Sequence, residues 1–192
     1  MIDILKLFIK SAIVDNVVFI QYLAICPFIG MTSETDKAFG MGVATSFVIL
    51  LATAVTWPIY QLIMVPLHLE FLQTLMFILV IASLVQLVEF FLKKMMPGLY
   101  SAMGVYLALI TTNCGVLGVT INCISKDYNY GMSLVYALGS ACGFLLSMVI
   151  MSGVRSRLKV AKVPKSFEGT PVLYVAAGLL SLAFLGFKGL IS

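Results

Sequence analysis

Charge is what this sequence most lacks. Only 10% of its 192 residues are Asp, Glu, Lys or Arg, while 61% are hydrophobic, far from the shares of an ordinary soluble domain. A nucleic-acid-binding domain needs a basic face on a soluble surface, and too few charges are present to build one. The net charge of +4 therefore reads as membrane topology, and no nucleic-acid partner is expected. Also missing is an A-x-A-like cleavage site after the apolar, lysine-bearing start MIDILKLFIK, so the first apolar segment is expected to stay in the mature chain.

What is present is a series of charge-free runs: Asn16 to Ser33, Ala38 to Leu67, Phe71 to Val88, Met95 to Ser125, Tyr128 to Val154 and Gly169 to Phe187. Each is close to or above the roughly 20 residues a helix needs to cross about 30 Å of hydrocarbon. Irregular backbone cannot face lipid, so these runs predict an all-α integral membrane protein of six transmembrane helices, a single domain over residues 1–192. Lys6, Lys10, Lys126 and Lys188 fall on one side. Lys37, Lys93, Lys94, Arg155, Arg157, Lys159, Lys162 and Lys165 fall on the other. The excess of positive charge belongs in the cytoplasm, which places both termini outside. The stretch SGVRSRLKVAKVPK reads as a solvated loop under the same rule.

The two halves of the chain echo each other. Residues 26–30 read Cys-Pro-Phe-Ile-Gly and residues 114–118 read Cys-Gly-Val-Leu-Gly; Gly40-Met41 opens the second span and Gly131-Met132 the fifth. Similar offsets between the pairs indicate a duplicated three-span unit, about residues 1–95 and 96–192. An odd number of spans per copy makes the copies inverted, an arrangement whose working sites lie near the midplane at the repeat interface.

Both matching cysteines lie deep in their runs, where a helix is expected to break. Pro27 lacks an N–H and disfavours helical geometry at Cys26, and Gly30 and Gly115 loosen the backbone. A half-helix starting at Pro27 would make Cys26 its N-cap, with N–H groups favouring thiolate. Thr111, Thr112 and Asn113 add hydroxyl and amide groups just before Cys114. This chemistry suits a metal ligand, yet a membrane cysteine also serves as a small packing residue, and the residues alone leave both roles open. Cys123 and Cys142 have no counterpart in the other half and are expected to pack. A Cys26–Cys114 disulfide would be unusual in hydrocarbon.

Asp15, Asn16 and Glu89 are the polar groups that suggest an ion path. Against that, Asp15 suits a solvated cap, and Glu89 lies four residues before Lys93, the spacing of an ordinary helical ion pair. Trp57 with Tyr60 fits an interfacial anchor.

At these residues a family resemblance emerges. Asp15-Asn16, LAICPFIG, FGMG, AVTW, FILVIASLVQLVE, LITTNCGVLGV, VPKSFEGTP and AGLLSLAFLGFKGL together resemble the A subunits of Rnf complexes. These are bacterial membrane-bound electron-transfer machines related to the sodium-pumping NADH:quinone reductase. The resemblance spans essentially the whole chain, and CPF with TTNC is its specific part; the wording around both cysteines favours Rnf over the reductase. It implies a [2Fe–2S] cluster within the inner membrane, bound by Cys26 and Cys114 together with the paralogous E-type subunit of opposite topology, with Pro27, Thr112, Asn113 and Gly115 around the ligands. It also implies a complex with B, C, D and G subunits, in the lipid bilayer, that couples electron transfer between ferredoxin and NAD+ to Na+ or H+ movement. The flavin and NAD+ chemistry would occur on other subunits. The rival reading is an inverted-repeat transporter without a redox centre, whose broken helices bind an ion or substrate directly.

Overall fold

The computed structural model describes residues 2–67, 70–95, 107–161, 164 and 169–188. Helix α1, Ile2–Ile9, continues through a wide π-helical turn, Lys10–Val14. A short α2, Ile25–Met31, follows an irregular stretch. Then come α3 (Thr35–Ile59), α4 (Gln73–Met95), α5 (Leu107–Thr111), α6 (Cys114–Ser125), α7 (Tyr130–Leu158) and α8 (Thr170–Lys188). No strand occurs among the described residues. Past Pro58, which removes one ladder donor, α3 widens into a π-helical segment, Tyr60–Met64.

Among the described residues, four helical segments are long and apolar enough to cross a membrane: Thr35–Met64, Gln73–Phe90, Tyr130–Leu158 and Thr170–Phe187. The other two expected spans are broken. The break expected in the first span is present but lies upstream of the expected position: α1 precedes the charge-free run from Asn16 to Ser33, Asp15–Ala24 is irregular, and the short helix that follows begins at Ile25. The described part of the fourth span divides at Thr112 and Asn113. The expected boundary between halves falls at residues 96–106, outside those described.

The core is built by α3 and α7, which pack antiparallel. Thr35 meets Ser152 through a hydroxyl pair at 3.1 Å, and Ser46 Oγ donates to Ala141 O at 3.2 Å. Trp57 Nε1 donates to Tyr128 O at 3.0 Å, just before α7 begins. Small residues make this approach possible, as hydrocarbon supplies no hydrophobic drive between helices. By contrast α1 runs parallel to α7, with Ala12 against Gly143 and Asn16 against Ser147. A Cβ at Gly143 would lie 2.5 Å from Ala12 O, so only glycine fits there. Helices α4 and α8 are peripheral and present apolar faces outward, with Leu79, Leu87, Leu179 and Leu182 exposed.

The two short helices point in opposite directions. Helix α2 ends beside Arg155 and Lys159 at the far end of α7, whereas α6 ends at the turn leading into the start of α7. Helices α2 and α6 are thus opposed short helices lying against the antiparallel central pair.

Candidate metal centre

The first break is tied down by Asn16, which is fully buried. Its Nδ2 donates to Ala12 O at 3.1 Å and Gly143 O at 3.0 Å. Its Oδ1 accepts from the N–H groups of Val18 (2.9 Å) and Phe19 (3.3 Å) and from Ser147 Oγ (3.1 Å). The side chain thus substitutes for the helical ladder that stops here, answering the demand that no backbone polar group be left bare in an apolar interior. Past it, Leu23 N donates to Val17 O at 3.0 Å, and Tyr22 and Ala24 take left-handed φ values of 56° and 60°.

The second break is shorter. Asn113 N–H donates to Ile110 O at 3.3 Å, and Asn113 then caps α6, its Oδ1 accepting from Gly115 N at 2.9 Å. Cys114 is therefore the first residue of a 12-residue helix. Asn113 Nδ2 is buried without a hydrogen-bond partner, which is costly in an apolar interior and marks a donor awaiting an acceptor.

The two breaks meet. Ala24 N–H donates to Cys114 Sγ at 3.0 Å. Gly115 allows the approach, since a Cβ there would fall 2.9 Å from Ala24 Cβ, and Gly118 faces Leu23 in the same way. Cys26 follows two residues after Ala24, and both Cys26 and Cys114 are exposed. Pro27 is buried behind them, and Thr112 is exposed beside Asn113. One sequence expectation is corrected: the N-cap of α2 is Ala24, so Cys26 is its second residue and Pro27 its third. Proline is still accommodated, because the first turn of a helix lacks N–H acceptors in any case.

Gly115→Val is a sharp test of this approach. Within a helix the change from glycine normally gains rigidity, but here the added bulk is opposed by Ala24 Cβ and, at 3.2 Å, by Asn113 Oδ1. We expect a loss of about 1–3 kcal/mol, read as a lower thermal midpoint of the purified complex; an unchanged or higher midpoint would show that the breaks do not touch.

The remaining polar groups cluster on the α6 side of the first break. Lys126 Nζ lies 3.5 Å from Asp15 Oδ2 and 4.8 Å from the centre of the Tyr136 ring. Asn122 Nδ2 donates to Gln21 Oε1 at 2.9 Å, and Gln21 Nε2 reaches Tyr136 Oη at 3.5 Å. Glu89 lies on α4, half-buried; the side chain of its expected partner Lys93 lies outside those described. Cys123 is buried with its Sγ 3.7 Å from Ser133 O, as a packing residue would be, and Cys142 is exposed on α7.

Sequence reasoning missed the backbone N–H of Ala24 and the Gln21–Asn122 pair, for which side-chain identity carries no signal. It also placed Arg155 and Arg157 in a loop, whereas α7 continues as helix through Leu158. Among the described residues no group of three or more His, Cys, Asp or Glu is placed to hold a metal ion.

The geometry can be set beside known proteins. The family model described as "Rnf-Nqr subunit, membrane protein" matches residues 4–191. The chain is 46% identical over 189 residues to the A subunit of the ion-translocating oxidoreductase complex of Syntrophotalea carbinolica, covering 98% of each. It is 48% identical over 188 residues to the protein of the same name from Cereibacter sphaeroides, covering 98% of this chain and 97% of the relative. It is also 48% identical over 182 residues to the A subunit of the Na(+)-translocating ferredoxin:NAD(+) oxidoreductase complex of Acetobacterium woodii, covering 95% of each. With the family match running from residue 4 through every described helix that follows α1, the chain belongs to the Rnf-Nqr family of membrane subunits.

Proposed function

We propose that this chain is the A-type membrane subunit of an ion-translocating ferredoxin:NAD+ oxidoreductase, and that Cys26 and Cys114 provide two of the four thiolates of an intramembrane [2Fe–2S] cluster. The other two come from a paralogous subunit of opposite topology. Bound there, the cluster supplies one-electron transfer midway across the membrane.

The observation that carries this reading is the Ala24 N–H···Sγ Cys114 hydrogen bond at 3.0 Å, which brings together the two helix breaks that carry the exposed Cys26 and Cys114. The donor chemistry fits. A cluster of two ferric ions, two sulfides and four thiolates is doubly negative, so it needs hydrogen-bond donors and cannot face lipid. Ala24 N–H already aims at one sulfur, Asn113 Nδ2 is a buried donor without an acceptor, and Cys114 sits at the positive end of α6. The chain's residues hold two thiolates, orient them and supply positive partial charge. Covering the exposed face and excluding lipid falls to the partner. The flavin and nicotinamide steps belong to other subunits.

The Lys/Arg distribution supports an inner-membrane orientation with both termini outside. An ion path in this subunit would have Asp15 and Glu89 as its acidic stations, whereas the amide of Asn16 is fully committed to the break.

The test is spectroscopic. Complex purified without oxygen and reduced is expected to give a [2Fe–2S] electron paramagnetic resonance signal that is missing from Cys114→Ala complex of equal subunit content. A signal that survives this substitution, with ion transport intact, would favour a transporter without a redox centre in this chain.

A further inference from the structure

Helix α2 is only seven residues long, too short to be stable alone, yet it carries Cys26. Something must hold it at both ends. Near its start, Phe28 N–H donates to Ala24 O at 3.2 Å and the Phe28 ring packs edge-on against Phe19, with centroids 5.6 Å apart. At its far end the last carbonyls have no helical partner. Arg155, from the last turns of α7, reaches across and fills that gap: Nη1 donates to Ile29 O at 2.8 Å and lies 3.4 Å from the hydroxyl of buried Thr32.

The neighbouring hydrogen bonds extend the same clamp. Ser152 Oγ meets Thr35 Oγ1 at 3.1 Å and Lys159 Nζ donates to Ser33 O at 3.0 Å, so residues 152, 155 and 159 on one face of α7 fasten the whole connection from α2 into α3. The nearby carboxylate Glu34 is engaged by Lys37 at 3.0 Å, leaving the guanidinium to the α2 end. A mirrored device exists in the other half, where Trp57 of α3 donates to Tyr128 O beyond the end of α6. Helix α6 is longer and capped by Asn113, so the Arg155 side carries the greater demand.

We propose that Arg155 is the positioning residue for Cys26: it fixes the C-terminal end of α2 from the opposite half of the molecule and thereby sets where the Cys26 sulfur stands relative to Cys114. The planar guanidinium, permanently charged and rich in donors, suits the carbonyl of Ile29 and the hydroxyl of Thr32 at a helix C-terminus. This inference rests on the cluster reading for its functional weight, but the clamp itself is measurable without iron.

The experiment compares Arg155→Gln, Arg155→Lys and, on an exposed position of the same helix, Arg157→Gln in purified complex. One readout is [2Fe–2S] spin count per assembled complex. The other, after chelation of the iron, is the rate of N-ethylmaleimide labelling at Cys26 relative to Cys114. Arg155→Gln is expected to lower the spin count about 10-fold, as loss of an outer support does at other metal sites, and to accelerate labelling of Cys26 while that of Cys114 holds. Arg155→Lys, which keeps the charge but loses the planar fork, restores both only in part, so that Cys26 labelling stays measurably fast, and Arg157→Gln changes neither. Wild-type spin count and labelling in Arg155→Gln would overturn the proposal, as would equal effects at both cysteines. If Arg155→Gln does not assemble, Arg155→Lys decides: faster labelling confined to Cys26 supports the clamp, and labelling unchanged or raised at both sites overturns it. A Cys26→Ala complex that keeps its full spin count would instead defeat the cluster reading, a result separate from the labelling arm.

Discussion

Cys26→Ala and Cys114→Ala are each expected to stop electron flow from ferredoxin to NAD+ while leaving the complex assembled. Both side chains are exposed and neither contributes to the buried core, so removing a sulfur costs the fold little. Among the described residues, the hydrogen bond from Ala24 N–H to Cys114 Sγ is what disappears, and a bond to sulfur is weak. The effect on flux has a different scale. Changes to groups that merely support a metal ligand cost about 10–100-fold; loss of a ligand itself should exceed that. Serine in place of either cysteine should fail similarly, since a hydroxyl is a poor ligand for iron that prefers sulfur. Cys123→Ala and Cys142→Ala are the controls: Cys123 packs against Ser133 and Cys142 faces outward on α7, so both should retain flux. Rates of ferredoxin-dependent NAD+ reduction in membranes check all four. Equal activity in the two sets would remove the distinction drawn between the paired and unpaired cysteines.

The second large effect is expected at Asn16. Its amide serves five partners drawn from the π-helical turn after α1, the break and α7. Asn16→Ala strands the N–H groups of Val18 and Phe19 in the interior. At about 1–3 kcal/mol for each unsatisfied group, the loss is roughly 2–6 kcal/mol, a large share of the stability of a typical domain. Asn16→Asp is the more discriminating change because shape is kept. The oxygen that accepts from Val18, Phe19 and Ser147 survives, but the donor to Ala12 O and Gly143 O becomes a second oxygen facing two carbonyls. Asn16→Asp is therefore expected to be at least as damaging as Asn16→Ala, measured as the yield and thermal midpoint of assembled complex. If Asn16→Asp is tolerated while Asn16→Ala is not, the amide donors do not hold the break.

These two sites also show how far the sequence could be read. Charge-free runs disclosed the bundle and located α3, α4, α7 and α8 closely, because hydrocarbon length imposes itself directly on composition. The two matching cysteines stood out because the halves repeat the pattern, and Ala24, two residues before Cys26, does meet Cys114 Sγ. The first break was misplaced toward Pro27 because proline is a local signal. What interrupts the helix is Asn16, whose partners Gly143 and Ser147 lie 127 and 131 residues away along the chain. No window around residue 16 contains that information. The same holds for Arg155, whose acceptor at Ile29 is 126 residues distant; from its neighbours it is only one basic residue among several. Left-handed backbone at Tyr22 and Ala24 is likewise imposed by the meeting of the breaks and not by the identity of either residue.

The most direct measurement is the iron-edge anomalous signal, or an equivalently resolved density map, of the intact complex. Two iron atoms are expected, bound by the sulfurs of Cys26 and Cys114 and by two sulfurs from a second, oppositely oriented chain. Iron-free density at those cysteines, with lipid or ordinary side chains against them in a fully assembled and active complex, would contradict the proposed cluster.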